Sequence, residues 1–212
     1  MSGAYEAKQH YQREEIAASY NAARFRGLRG AFVNRLEQRL LMRALAGLPP
    51  GALVLDLPAG TGRMARHLEA VGYRVTGADI SLPMLRESRR LSPAGALVRG
   101  DAEALPFASK SFDAVVCLRL MSHLPPPARA AVLRETARVA RERVVAVYQP
   151  HRVALWWLVY GLLLRRPVPR YYASQADLAR EFAASGLRLI RSHSLLRGAF
   201  MERAYVLTPS TA

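Results

Sequence analysis

The chain has 212 residues, 51% of them hydrophobic, which suits one core-bearing domain and is too apolar for a disordered chain. A single cysteine, Cys117, excludes a disulfide framework and any multi-cysteine metal site. The net charge of +15 is almost all arginine. It leaves two readings open, a compositional bias toward arginine at the surface or attraction to nucleic acid, anionic lipid or a phosphorylated substrate.

Residues 1–20 are polar, with Glu6, Glu14 and Glu15 and no apolar core, so no secretory signal is expected. No apolar run reaches the roughly 20 residues that a membrane span takes. Tyr5, Tyr11 and Tyr20 punctuate a polar helical background. Residues 31–46 place Phe32, Leu36, Leu40, Met42 and Leu45 at helical spacing, predicting a packing helix stopped by Gly47 and Pro49-Pro50-Gly51. A first strand follows over 52–56 and ends in Asp56. The chain then passes through Pro58, Ala59, Gly60, Thr61 and Gly62 into a helix over about 61–71, with Met64, Leu68 and Val71 on one face. Small residues suit a turn where backbone approaches a ligand, and the N–H groups of the helix's first turn face the same crevice. Such a turn also serves where a chain merely reverses. Pro58 keeps it compact but removes one N–H.

A second strand over 73–79 ends in another acid, Asp79, about 20 residues beyond the loop. A doubly wound nucleotide fold places there the group that accepts the ribose hydroxyls; an ordinary helix cap is the alternative. A helix to about Arg90 is broken by Ser92-Pro93, and a short strand over 96–99 precedes a third acid in register, Asp101. A fourth strand opens at Phe112-Asp113, with Asp113 at the opposite end of the sheet in a structural role, and Leu118, Arg119 and His123 follow its carboxyl end. Pro125-Pro126-Pro127 starts a helix over 128–140. A fifth strand over 144–148 delivers Gln149, Pro150 and His151. Residues 153–164, including Trp156 and Trp157, are almost wholly apolar between Arg152 and Arg165-Arg166. They read either as a buried lid or as an interfacial helix. A helix over 175–185, closed by Gly186, leads to two last strands at 187–192 and 199–207.

The segment from Asp56 through Pro58, Ala59 and Gly60 to Gly62 resembles motif I of the class I S-adenosylmethionine (SAM) methyltransferases, Asp/Glu-x-Gly-x-Gly-x-Gly, with Pro58 at the first glycine. Asp79-Ile80-Ser-Leu-Pro-Met84-Leu resembles the family's continuation Asp-x-Ser-x-x-Met-Leu, and Gly100-Asp101-Ala102-Glu103-Ala-Leu-Pro106-Phe107 its adenine-recognition motif. Ser111-Phe112-Asp113 followed by His123-Leu124 resembles the type 11 subgroup, related to quinone-methylating enzymes. The resemblance covers about residues 16–208. It implies an α/β, Rossmann-like, doubly wound seven-stranded sheet, mostly parallel with an antiparallel last strand. It further implies a single domain over 1–212, with an N-terminal helical cap over 1–46 and a helical insertion over 150–173 after the fifth strand.

The implied cofactor is SAM, with S-adenosylhomocysteine as product. Implied contacts are Asp56, Pro58, Ala59, Gly60, Thr61, Gly62 and Leu118, with Tyr20 of the cap over the methionine end. Asp79 would accept from the ribose, Ile80 and Met84 would pack on the adenine, and Asp101, beside Ala102, would accept from its amino group. The implied reaction is in-line transfer of the sulfonium methyl, for which the protein mainly aligns the partners. His123 is the candidate base if the acceptor must lose a proton, ahead of Tyr20, His151 and Tyr172. Arg119, His151, Trp156 and Tyr172 are candidate acceptor contacts. No metal is expected, since the histidines are dispersed without a His-Glu-x-x-His helix. The expected partner is a small-molecule or lipid-linked acceptor, with an anionic membrane surface if 153–164 is interfacial. RNA is a weaker alternative, because Cys117-Leu-Arg-Leu stands where amino-group methylases carry Asn-Pro-Pro-Tyr or Asp-Pro-Pro-Tyr. A catalytically silent SAM-binding protein is a third reading. The expected location is cytoplasmic, or peripheral at the inner face of the membrane.

Overall fold

Strands covered on both faces read as unbroken apolar runs, and the centre of this sheet obeys that rule. β1 (Leu53–Leu57) and β4 (Phe112–Cys117) lie side by side, with Val54, Leu55, Val115 and Val116 all at 0% exposure. The computed structural model describes residues 8, 10–25, 27–92, 95–149, 171, 173–194 and 202–210. Two helices, α1 (Glu14–Phe25) and α2 (Gly27–Leu45), precede the sheet. Then come α3 (Arg63–Ala70), β2 (Arg74–Asp79), α4 (Leu82–Leu91) and β3 (Ala96–Arg99). After β4 follow α5 (Pro126–Val139), β5 (Ala140–Tyr148), α6 (Gln175–Ala184), β6 (Leu187–Ser194) and β7 (Arg203–Pro209).

The seven strands run in the order β3-β2-β1-β4-β5-β7-β6. All adjacent pairs from β3 to β5 are parallel, whereas β7 runs antiparallel to both β5 and β6. The antiparallel strand is therefore inserted one place in, and β6 forms the edge. Alternation along β1 sends Leu55 and Leu57 to one core and Val54 to the other. The first core packs under α5 and α6, through Val132, Leu133 and Phe182; the second packs under α2 and α3, through Leu40, Leu45 and Leu68.

Two side chains expected in the core face outward. Phe32 is 58% exposed, because the buried face of α2 starts only at Leu36. Val71 is 45% exposed, because α3 ends at Ala70 and Val71 lies past its last turn. β5 begins at Ala140, where α5 runs straight into it. Asp113 has the structural place expected of it: it accepts from Leu53 N–H (2.8 Å) and pairs with Arg141 (2.8 Å) at the amino edge of the sheet. The stretch 153–164 lies outside the described residues, as do His151, Trp156 and Tyr172.

Candidate functional site

In an open α/β sheet the crevice forms at the carboxyl edge where strand order reverses, here between β1 and β4. A cleft opens there, walled by the loop after β1, the ends of β2 and β3, the segment after β4 and the N-terminal residues. Asp56 lies on its wall at 1% exposure, and its Oδ2 accepts no hydrogen bond among the described residues. Burial pushes its carboxyl up to about 7, while Arg63 and the Ala65 N–H pull the other way. A buried acceptor left open suits a ligand that brings a donor.

The loop after β1 is tied to β2 by backbone and carboxylate together. Ala59 N–H donates to the Ala78 carbonyl (2.9 Å) and Gly60 N–H to Asp79 Oδ2 (2.8 Å). The other Asp79 oxygen accepts from Ser81 N–H at 2.9 Å. Burial pushes Asp79 up against these bonds. Lone pairs remain on both oxygens, since an ionised carboxylate offers about four acceptor sites. The helix cap is Ser81, which accepts from Met84 N–H (3.2 Å), so Asp79 is not needed for that task. Pro58, preceded by a cis peptide, lines the cleft with Ala59, Gly60 and Thr61. Gly62 is not on the wall. Its φ is 73°, and a Cβ there would stand 2.2 Å from Ser88 Oγ, so glycine lets the loop close onto α4.

Further round the cleft come Ile80, Met84, Asp101 and Ala102, then Leu118, Arg119 and His123 from the segment after β4. Asp101 Oδ1 accepts from Glu103 N–H at 3.1 Å. His123 closes a short 3-10 turn, Met121–His123, and is 8% exposed, with its ring edge-on to Tyr11 at 5.9 Å. Tyr20 lines the same cleft, 6.2 Å from Tyr11. Cys117, at the end of β4, is fully buried, and burial pushes its thiol up, which removes it as a nucleophile.

Residues 54–143 match the family of methyltransferase domains. A demethylmenaquinone methyltransferase of Mycobacterium sp. (strain KMS) is 30% identical over 222 residues, covering 92% of this chain and 95% of that protein. The chain belongs to the class I SAM-dependent methyltransferase family. A demethylmenaquinone methyltransferase of Beutenbergia cavernae is 39% identical over 136 residues, 63% of this chain and 55% of that protein. The chain spans about half the length of that relative. The crystal structure of magnesium protoporphyrin IX methyltransferase from Synechocystis PCC 6803 with bound SAH superposes with a TM-score of 0.74 at 20% identity, covering 96% and 98% of the two chains. That likeness concerns the fold.

On this methyltransferase scaffold the N-terminal segment roofs the cleft. The Tyr11 carbonyl accepts from Ser81 Oγ (2.7 Å), and Thr61 Oγ1 donates to Asn21 Oδ1 (2.8 Å). Lys8 pairs with Asp101 (2.6 Å) and Glu103 (3.0 Å); burial works to lower its pKa, and the two carboxylates more than reverse that. Sequence reasoning had not singled out Lys8, Tyr11 or Arg63 as wall residues. Lys8 and Asp101 are 93 positions apart, and no local spacing signals such a pair.

Proposed function

We propose that the cleft binds SAM and that the chain transfers its methyl group to a small-molecule or lipid-linked acceptor, leaving S-adenosylhomocysteine. The observation that carries this reading is the placement of Asp56, Asp79 and Asp101 around one cleft, at or just past the carboxyl ends of three adjacent strands. The open oxygen of Asp56 suits the ammonium of the methionine part. Asp79 keeps lone pairs for the ribose hydroxyls, and Asp101 is the acceptor for the adenine amino group, with Ile80 and Met84 against the base. When bound, SAM supplies a methyl group already activated by its sulfonium charge.

The protein's share is then alignment and exclusion of water. Tyr11, Tyr20 and His123 close one side of the cleft with edge-on rings. His123 takes the proton of an acceptor that must lose one. The likeness to demethylmenaquinone methyltransferases supports an acceptor like a demethylated quinone. No helix among the described residues is long and apolar enough to cross a membrane. A cytoplasmic protein that meets a lipid-linked acceptor at the inner membrane face completes the proposal. Calorimetric titration with S-adenosylhomocysteine tests it. The wild type should bind and Asp79→Ala should bind at least about tenfold more weakly, the loss of a charge-assisted hydrogen bond. A wild type that does not bind defeats the reading. Methyl transfer from labelled SAM to demethylated quinones then tests the acceptor.

A further inference from the structure

Four charged side chains from four separate parts of the chain meet behind one wall of the cleft. Glu37 of α2, 3% exposed, pairs with Arg63 of α3 at 2.6 Å and with Arg119 of the segment after β4. Asn34, one turn earlier on α2, accepts from the other Arg63 nitrogen. Glu202, immediately before β7, faces Arg119, Glu37 and Arg63. Both guanidiniums lie over the Phe25 ring, at 4.1 and 5.4 Å from its centroid, and both line the cleft. Arg119 adopts a left-handed backbone, φ 60°, and its buried Nε donates to no group among the described residues.

Two neighbouring carboxyls in a buried place do not both ionise readily. Burial holds the Glu202 carboxyl well above the usual range, and Glu37 adds to this by repulsion and by a hydrogen bond; Arg119 and Arg63 oppose it. While Glu202 holds its proton, the two arginines outnumber the negative charge beside them, and the cluster is net positive. That charge lies far from the adenine acid. β3, which leads to Asp101, and β4, which leads to Arg119, are three strand steps apart. At about 4.8 Å per step this is on the order of 14 Å.

Taking the SAM reading as given, we infer that Glu37 and Glu202 are positioning residues. They form a carboxyl pair that fixes Arg63 and Arg119 on the wall, so that the two guanidiniums present positive charge there to the carboxylate of the ligand's amino-acid end. The side chains of Arg63 and Arg119 on the cleft wall are what that carboxylate meets. Loss of the Glu202 proton lowers the positive charge of the cluster and weakens the seat, so this contribution falls as pH rises past the titration of Glu202. Asp56, close to Arg63 and pushed up to about 7, titrates in an overlapping range, and Tyr20 faces Arg119. The test must separate Glu202 from both.

The experiment is calorimetry with two probes, S-adenosylhomocysteine and 5′-methylthioadenosine, which keeps the adenosine and lacks the amino-acid end. Glu37→Gln should weaken S-adenosylhomocysteine by about tenfold or more and 5′-methylthioadenosine by less than about twofold. Glu202→Gln, which cannot ionise, should flatten the part of the wild-type pH profile that Asp56 does not explain, so that the ratio of variant to wild-type affinity rises with pH. Equal weakening of both probes by Glu37→Gln, or a ratio that stays constant with pH, overturns the proposal. If Glu37→Gln does not fold, the Glu202→Gln ratio decides alone. A wild type that binds neither probe defeats the SAM reading itself. A wild type that binds both, with variants that behave identically to it, defeats only the acid pair.

Discussion

Asp56 bears a cost that its neighbours do not remove. Its carboxyl is buried, one oxygen has no partner among the described residues, and burial raises it to about 7. The ordinary aspartate value in an unfolded chain is about 3.9. Between those two pH values the folded state holds a proton that the unfolded state has released, so stability falls as pH rises through that window. Asp56→Asn should therefore flatten this fall and stabilise the ligand-free protein at pH 8, by on the order of 1–3 kcal/mol, while weakening S-adenosylhomocysteine. Urea unfolding at pH 5 and pH 8 checks it; a variant less stable than the wild type at pH 8 rules it out. Asp113 behaves in the opposite sense. The Arg141 hydrogen bond first, and the Leu53 N–H second, hold its carboxyl below the usual range. Its contribution is present above about pH 4 and is lost as pH falls through the lowered folded value. Asp113→Ala should cost about 1–2 kcal/mol in the same assay at neutral pH and leave S-adenosylhomocysteine affinity within about twofold, since the residue sits at the far edge of the sheet.

The elements that carry these residues differ in how plainly they announce themselves. α6 is opened by a complete capping box: Ser174 accepts from Asp177 N–H and Asp177 accepts from Ser174 N–H, each at 3.2 Å. Ser174→Ala should cost about 1 kcal/mol, read as a lower urea midpoint with unchanged slope. The strands were legible because a buried parallel sheet must spell apolar runs, and because Asp56, Asp79 and Asp101 each follow one such run. Their elements formed where the patterns put them, β3 to the residue. What was not legible was contact across the chain. Nothing at Glu37 marks it out in the helical pattern of α2, yet it meets Arg63 and Arg119, 26 and 82 positions away. Lys8 reaches Asp101 by the same kind of long-range closure. Gly62 has a packing reason of its own. A glycine in a ligand loop suggests ligand approach, and the missing Cβ also makes room for Ser88, which no local pattern announces.

At the scale of the whole molecule, arginine does much of the joining. Arg138 donates to the carbonyls of Phe107 and Leu105, Arg141 to Lys110, and Arg143 and Arg191 both to Ala46 just past α2. Cations at the end of α2 also complement its dipole. These structural uses favour the compositional reading of the +15 charge over a surface built for nucleic acid. The cleft, by contrast, is where the molecule is left open. Its walls come from the N-terminal segment, the loops at the ends of β1, β2 and β3 and the segment after β4, so a ligand there adds contacts to several parts of the chain at once. A ligand that binds only the folded state stabilises it by about 2.7 kcal/mol at a hundred times its Kd. For a chain of this length each kcal/mol is worth about 2–4 °C, so S-adenosylhomocysteine at that excess should raise Tm by roughly 5–11 °C. Asp79→Ala at the same ligand concentration should show about half of that shift or less. 5′-Methylthioadenosine, at a hundred times its own Kd, should match the wild-type shift, because linkage depends on saturation and not on which end of the ligand is held. Thermal unfolding followed by circular dichroism measures all three. A wild-type shift under about 1 °C at calorimetric saturation means that the ligand also binds the unfolded chain, which overturns the prediction.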